Sequence, residues 1–234
     1  MANVESTPLT IIVGSRGSVS AVAAYPRGFR RGQHDAVILA HGAGNDMSSP
    51  FMCAFHEGLA ARGLLSVKFN FPYTEQHRRA PDPAPVLEAC YRRVVEAIRQ
   101  HPRFAPRRLF IGGKSMGGRM ASHLAAAGEL VDGLVLLGYP LHPSGKPEQL
   151  RAAHLERVKV PMLFLAGTRD ALSRLDLLRA TVDHLRSASA AKIALHIVEG
   201  GDHSFNLLKS MKRPDAEVRE ELVDVVARWI AGCA

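Results

Sequence analysis

One stretch leaves this chain few folds to choose from: Arg108-Leu-Phe-Ile-Gly-Gly-Lys-Ser-Met-Gly-Gly-Arg-Met120. A short apolar run, Leu109 to Ile111, breaks at Gly112 and Gly113, presents Ser115, and passes through Gly117 and Gly118 into a segment with Met116, Met120 and Leu124 four apart. That order reads as strand, sharp turn, helix, with Gly113-Lys114-Ser115-Met116-Gly117 as a Gly-x-Ser-x-Gly nucleophile elbow. Glycine is required where the incoming strand and outgoing helix nearly touch, because a Cβ at 113 or 117 would collide. The serine hydroxyl then stands at the carboxyl edge of a sheet, and the N–H of Met116, at a helix N-terminus, points to where an oxyanion would form. Taken alone, the pentapeptide also fits a glycine-rich packing turn. A phosphate-binding loop shares the ending Gly113-Lys114-Ser115 but needs a glycine at position 108, which is Arg.

Around this stretch, strand and helix patterns alternate. Residues 9–13 and 19–25 predict an edge hairpin joined across Gly14 to Gly17, followed by a loop to residue 33, with residues 1–8 expected to be flexible. The continuous apolar run at 36–40 predicts a strand buried on both faces, residues 133–138 predict another buried strand, and 64–71, 161–166 and 192–198 predict further strands. Helical periodicity covers 50–62, 83–101 and 214–230, with a short helical piece at 148–158. Ser173 and Asp176 form a capping-box signal for a helix carrying Leu175, Leu178, Val182 and Leu185. Short connections between alternating strands and helices predict an α/β fold with a mostly parallel sheet covered by helices on both faces. Nothing divides the 234 residues, so a single domain is expected, and the insert after residue 138 is too short for a separate lid domain.

Composition excludes several classes. The net charge of +8 comes from arginines in ones and twos, without a basic run or interleaved aromatics, so no nucleic-acid partner is expected. No apolar run approaches the roughly 20 residues of a membrane span, and the first ten residues lack a signal-peptide pattern, so a cytoplasmic protein with no membrane partner is expected. Cys53, Cys90 and Cys233 have no metal-type spacing and read as reduced thiols, Cys90 in a helix core; neither metal nor cofactor is implied.

Polar residues at strand ends suggest the chemistry. Ser115, Asp170 and His203 follow in that order, each just after an apolar strand. A serine hydroxyl is nearly inert at neutral pH and needs a base; an imidazole, titrating at about pH 6.5, can take its proton and return it to a leaving group. His203 is the candidate base and Asp170 the carboxylate that would orient it, with Asp202 expected to point elsewhere. His41-Gly42-Ala43-Gly44 follows the strand at 36–40, where a second oxyanion donor, the Ala43 N–H, would lie. His41 and Gly42 in that loop, Lys114 beside the serine and His142 in the loop after residue 138 are candidates for substrate contact. Lys114 can favour an acidic acyl group or simply carry its charge to solvent. A polar loop at 72–81 is expected to overhang the site.

With these residues in view, the chain resembles α/β hydrolases, and most closely a small lidless branch that includes dienelactone-hydrolase-like bacterial proteins and animal testis-expressed and histone-acetyltransferase-complex relatives. The resemblance rests on His41-Gly-Ala-Gly, Gly113-Lys-Ser-Met-Gly-Gly-Arg, Gly138-Tyr-Pro-Leu-His-Pro-Ser-Gly-Lys-Pro, Gly167-Thr-Arg-Asp170 and Gly201-Asp-His203, and covers Ala36 onward. It implies the α/β-hydrolase fold, Ser115 as nucleophile, Asp170 as acid, His203 as base, and Ala43 with Met116 as oxyanion donors. Dienelactone hydrolases proper use a cysteine nucleophile where this chain has Ser115. The implied activity is a carboxylesterase-like serine hydrolase acting on a small acyl substrate; a non-catalytic interaction module on the same fold is the alternative.

Overall fold

A computed structural model describes residues 4–14 and 17–233. Eight strands form one sheet in the order β1-β2-β4-β3-β5-β6-β7-β8. They are β1 (Val4–Ile12), β2 (Ser18–Pro26), β3 (Ala36–Ala40), β4 (Leu65–Phe69), β5 (Leu109–Lys114), β6 (Gly133–Leu137), β7 (Met162–Gly167) and β8 (Ile193–Val198). The strands from β3 to β8 pair in parallel, whereas β2 runs antiparallel to both β1 and β4.

The central strands are apolar throughout because both faces are covered. In β3, Ala36, Ile38 and Ala40 join one core cluster while Val37 and Leu39 join the other; β6 and β7 alternate the same way. The first cluster is completed by α3 (Ala84–Gln100), α4 (Met116–Ala126) and α5 (Leu175–Ala188), the second by α1 (Pro50–Ala61) and α6 (Asp215–Ala231). Period-2 strands between 3.6-period helices thus give the predicted doubly covered sheet. Among the described residues there is no separate lid domain, and no helix is long and apolar enough to cross a membrane.

Three local expectations need correction. Residues 4–8 belong to β1, paired residue by residue with β2 from Val4↔Pro26 onward, while residues 1–3 lie outside the described part. An exposed edge strand has little apolar alternation to betray it; backbone hydrogen bonds and Thr7 Oγ1 against the Tyr25 hydroxyl at 2.9 Å hold it, and Pro8 is tolerated at an edge. Residues 15 and 16, within the predicted hairpin connection, also lie outside the described part. The polar loop at 72–81 opens with a helical turn, α2 (Pro72–Glu75), whose Glu75 carboxylate accepts the Ser20 backbone N–H at 2.9 Å. Finally, Ser173 does not cap α5: Arg174 is the residue before the helix, the Ser173 hydroxyl is buried without a partner, and Asp176 pairs with Arg174 instead.

Candidate active site

The elbow begins where β5 runs out. Ser115 has φ 52° and ψ −115°, a sparsely populated conformation that costs about 1–3 kcal/mol unless its surroundings impose it. They do. The Ser115 N–H donates to Leu137 O at 2.9 Å, keeping it on the β6 ladder, while its carbonyl accepts the first helical bond of α4 from Arg119 at 3.1 Å. Strand and helix approach so closely that a Cβ on Gly113 or Gly117 would stand 2.2 Å from Ala40 O. Both positions are closed to any side chain.

Loops after β7 and β8 supply the partners. His203 Nε2 lies 2.8 Å from Ser115 Oγ, and His203 Nδ1 lies 2.8 and 2.9 Å from the two Asp170 carboxylate oxygens. The Asp170 side chain is fully buried, and its Oδ1 also accepts the Leu172 N–H at 2.8 Å, so the carboxylate keeps two donors away from water. Asp202, next to the histidine, turns away. Its carboxylate accepts the N–H groups of Ser204 and Asn206 at 2.8 and 2.9 Å and so shapes the turn in which Phe205 takes φ 65°.

The loop after β3 lies directly against the elbow: a methyl added to Gly42 would be 3.4 Å from Ser115 Cβ. Two anchors hold it. The Met47 N–H donates to Asn70 Oδ1 at 2.9 Å, and the Phe71 N–H donates to His41 Nε2 at 3.2 Å. Ala43 is exposed on this loop, and Met116 is the first residue of α4, where an N–H has no intrahelical acceptor. Beside the loop is an open depression of about 500 Å³ bordered by Gly44, Asp46, Tyr73, His77, Arg78 and Arg79, which puts the 72–81 segment at its rim.

Three residues expected to contact substrate are used otherwise. His41 is fully buried; its Nδ1–H donates to Gly42 O at 2.9 Å while Nε2 accepts from Phe71, and burial lowers its pKa, so it is a neutral clamp between two loops. His142 is 2 % exposed, with Nδ1 donating to Pro143 O at 2.9 Å and Nε2 accepting the Arg174 N–H at 3.1 Å. The Lys114 head does not reach solvent: the side chain is buried and Nζ donates to the backbone carbonyl of His203.

Tyr91 was not foreseen as part of the site's support. Its hydroxyl sits between β3 and β5, 2.7 Å from both Ile38 O and Gly112 O, and accepts the Gly112 N–H at 2.9 Å. This bonding lies just ahead of the elbow. The available signal was a tyrosine, rather than a phenylalanine, in the apolar register of α3, since a buried phenol usually has a partner.

A family model described as an alpha/beta hydrolase domain matches residues 33–231. Among solved structures, a dienelactone hydrolase from Anabaena variabilis superposes with TM-score 0.72 at 20% identity, covering 98% of each chain. A lidless a/b serine hydrolase from Xanthomonas campestris gives TM-score 0.71 at 22% identity, covering 96% of this chain and 95% of its own. An alpha-beta serine hydrolase homologue from Coxiella burnetii gives 0.70 at 20% identity, covering 96% and 97%.

Proposed function

Because the chain belongs to the alpha/beta hydrolase domain family, we propose that it is a carboxylesterase-like serine hydrolase, cleaving an ester, thioester or related carbonyl bond of a small acyl substrate through an acyl-enzyme. The observation that carries this reading is the unbroken row from Ser115 Oγ through His203 to the buried Asp170 carboxylate, with both links at 2.8–2.9 Å.

In this reading the Ser115 hydroxyl gives its proton to His203 Nε2 as Oγ attacks the acyl carbonyl. The Asp170 carboxylate holds the Nδ1–H tautomer and stabilises the imidazolium that forms. The carbonyl oxygen, now an oxyanion, takes hydrogen bonds from the Met116 and Ala43 N–H groups at the positive end of α4. Collapse expels the leaving group, which receives the proton from Nε2. Water then repeats the sequence: His203 takes its proton, hydroxide attacks the acyl carbon, and Oγ leaves as the serine hydroxyl.

A scaffold without catalysis would have no use for the strain at Ser115, which favours the enzymatic reading over an interaction module. Ser115→Ala should abolish turnover of an activated acetate ester without loss of fold. A variant that hydrolyses the ester at the parental rate would refute the assignment.

A further inference from the structure

Lys114 is the last residue of β5, immediately before the nucleophile, and is 9 % exposed. Besides donating to His203 O, its Nζ lies 5.5 Å from the centre of the Phe205 ring. Gly138, with φ +60°, closes the slot from the end of β6: a Cβ there would stand 2.9 Å from Nζ and 3.0 Å from His203 O. The ends of β5 and β6 and the turn after β8 therefore meet at this ammonium. The charged and titratable groups around it are Asp170 after β7 and Asp202 and His203 after β8; Gly138 contributes none. Both carboxylates attract it, and neither forms an ion pair with it.

A buried ammonium without an ion pair is costly, and methionine would fill the same volume more cheaply. What the charge adds is a charge-assisted hydrogen bond, roughly twice as strong as a neutral one. Here that bond falls on the backbone of the residue whose ring must reach both Ser115 and Asp170.

Resting on the triad reading, we propose that protonated Lys114 is a positioning residue: it clamps the His203 backbone so that the imidazole spans Ser115 and Asp170, and loss of its proton weakens the clamp and sets an alkaline limit on turnover. Burial pulls the ammonium pKa down to about 8 against the attraction of Asp170 and Asp202, which brings that limit within reach of an ordinary assay.

The experiment is kcat and KM for an activated acetate ester from pH 6 to 10 with the full chain and with Lys114→Met, Lys114→Arg and Ser115→Ala. The parent should lose kcat several-fold above pH 8 with little change in KM. Lys114→Met should be about tenfold slower at pH 7, the size of one lost charge-assisted bond, and should show no alkaline limb. Lys114→Arg, whose charge persists to pH 10, should keep most of the parental rate and remain flat. Melting temperatures serve as the folding control, since removing a buried charge should leave Lys114→Met at least as stable as the parent. If arginine does not fit the slot, fluorophosphonate labelling of the parent across the same pH range reads the limb without that variant. A flat parental profile to pH 10, or a Lys114→Met variant with parental kcat and the same alkaline limb, overturns the proposal. Parental turnover by Ser115→Ala would instead remove the triad reading beneath it.

Discussion

Gly117→Ala puts the geometry of the elbow to a quantitative test. The added Cβ would lie 2.2 Å from Ala40 O, 2.5 Å from Ala40 C and 2.8 Å from His41 O. All three are backbone atoms, so no rotamer change relieves the clash. Restoring an ordinary 3.4 Å contact with Ala40 O means parting the start of α4 from the end of β3 by about 1.2 Å (3.4 − 2.2). Ala40 leads directly into His41 and Gly42, which packs against Ser115, so the movement displaces this loop from the nucleophile and, in the proposed mechanism, the oxyanion donor it carries. A displacement near 1 Å in a reacting geometry costs about 100-fold in rate, and overpacking of this kind costs about 1–3 kcal/mol in stability. The assay pairs kcat/KM on an activated acetate ester with denaturant unfolding. Gly128→Ala is the control: with φ +88° and open space around it, it should cost about 1–2 kcal/mol through backbone strain alone and leave kcat/KM unchanged. A Gly117→Ala variant with parental kcat/KM and stability would refute the claim that strand and helix are in contact at this point.

Further outcomes follow from the elements that hold the site. Tyr91→Phe leaves the buried Gly112 N–H without its acceptor and should lower unfolding free energy by about 1–3 kcal/mol in denaturant titration. Asp35 is buried beneath Arg107 and Arg108; burial raises its pKa, but hydrogen bonds and attraction from Arg108 and Arg107 outweigh this and leave it below the ordinary 3.8. Its contribution is therefore complete above about pH 4 and lost as pH falls through the folded value, so Asp35→Asn should destabilise by about 1–3 kcal/mol at pH 7, discounted for the exposed Arg107, and by progressively less in acid. For Lys114 the sign is opposite. Its folded pKa of about 8 is below the unfolded 10.5, so the parent gains stability as pH rises between them, and the stability advantage of Lys114→Met measured at pH 7 should shrink by pH 10.

The sheet was legible because β3, β6 and β7 are apolar runs, because β4 and β8 stay mostly apolar around Ser66, Lys68 and His196, and because the long helices repeat their apolar residues at helical spacing. Ala36–Ala40 was predicted to the residue. The hydrogen-bonded row was also legible, since Ser115, Asp170 and His203 each follow a predicted strand and the parallel topology carries all three to one edge. What sequence does not carry is the direction of a polar side chain once it is buried. His41, His142 and Lys114 have the chemistry of substrate contacts, yet their polar atoms are directed to backbone groups of their own and neighbouring loops. Tyr91 lies in the apolar register of α3, yet its hydroxyl bonds backbone groups of β3 and β5 that are 53 and 21 residues away in sequence. Such partners are fixed by tertiary approach, which local spacing does not encode. The edge strand at residues 4–8 escaped for the converse reason, because its pairing depends on backbone groups common to every residue.

The most direct measurement is peptide mapping by mass spectrometry after reaction of the folded protein with a fluorophosphonate. The account predicts one adduct per chain, on Ser115, and none on Ser115→Ala. A folded protein that stays unlabelled, or one labelled equally well after that substitution, would contradict it.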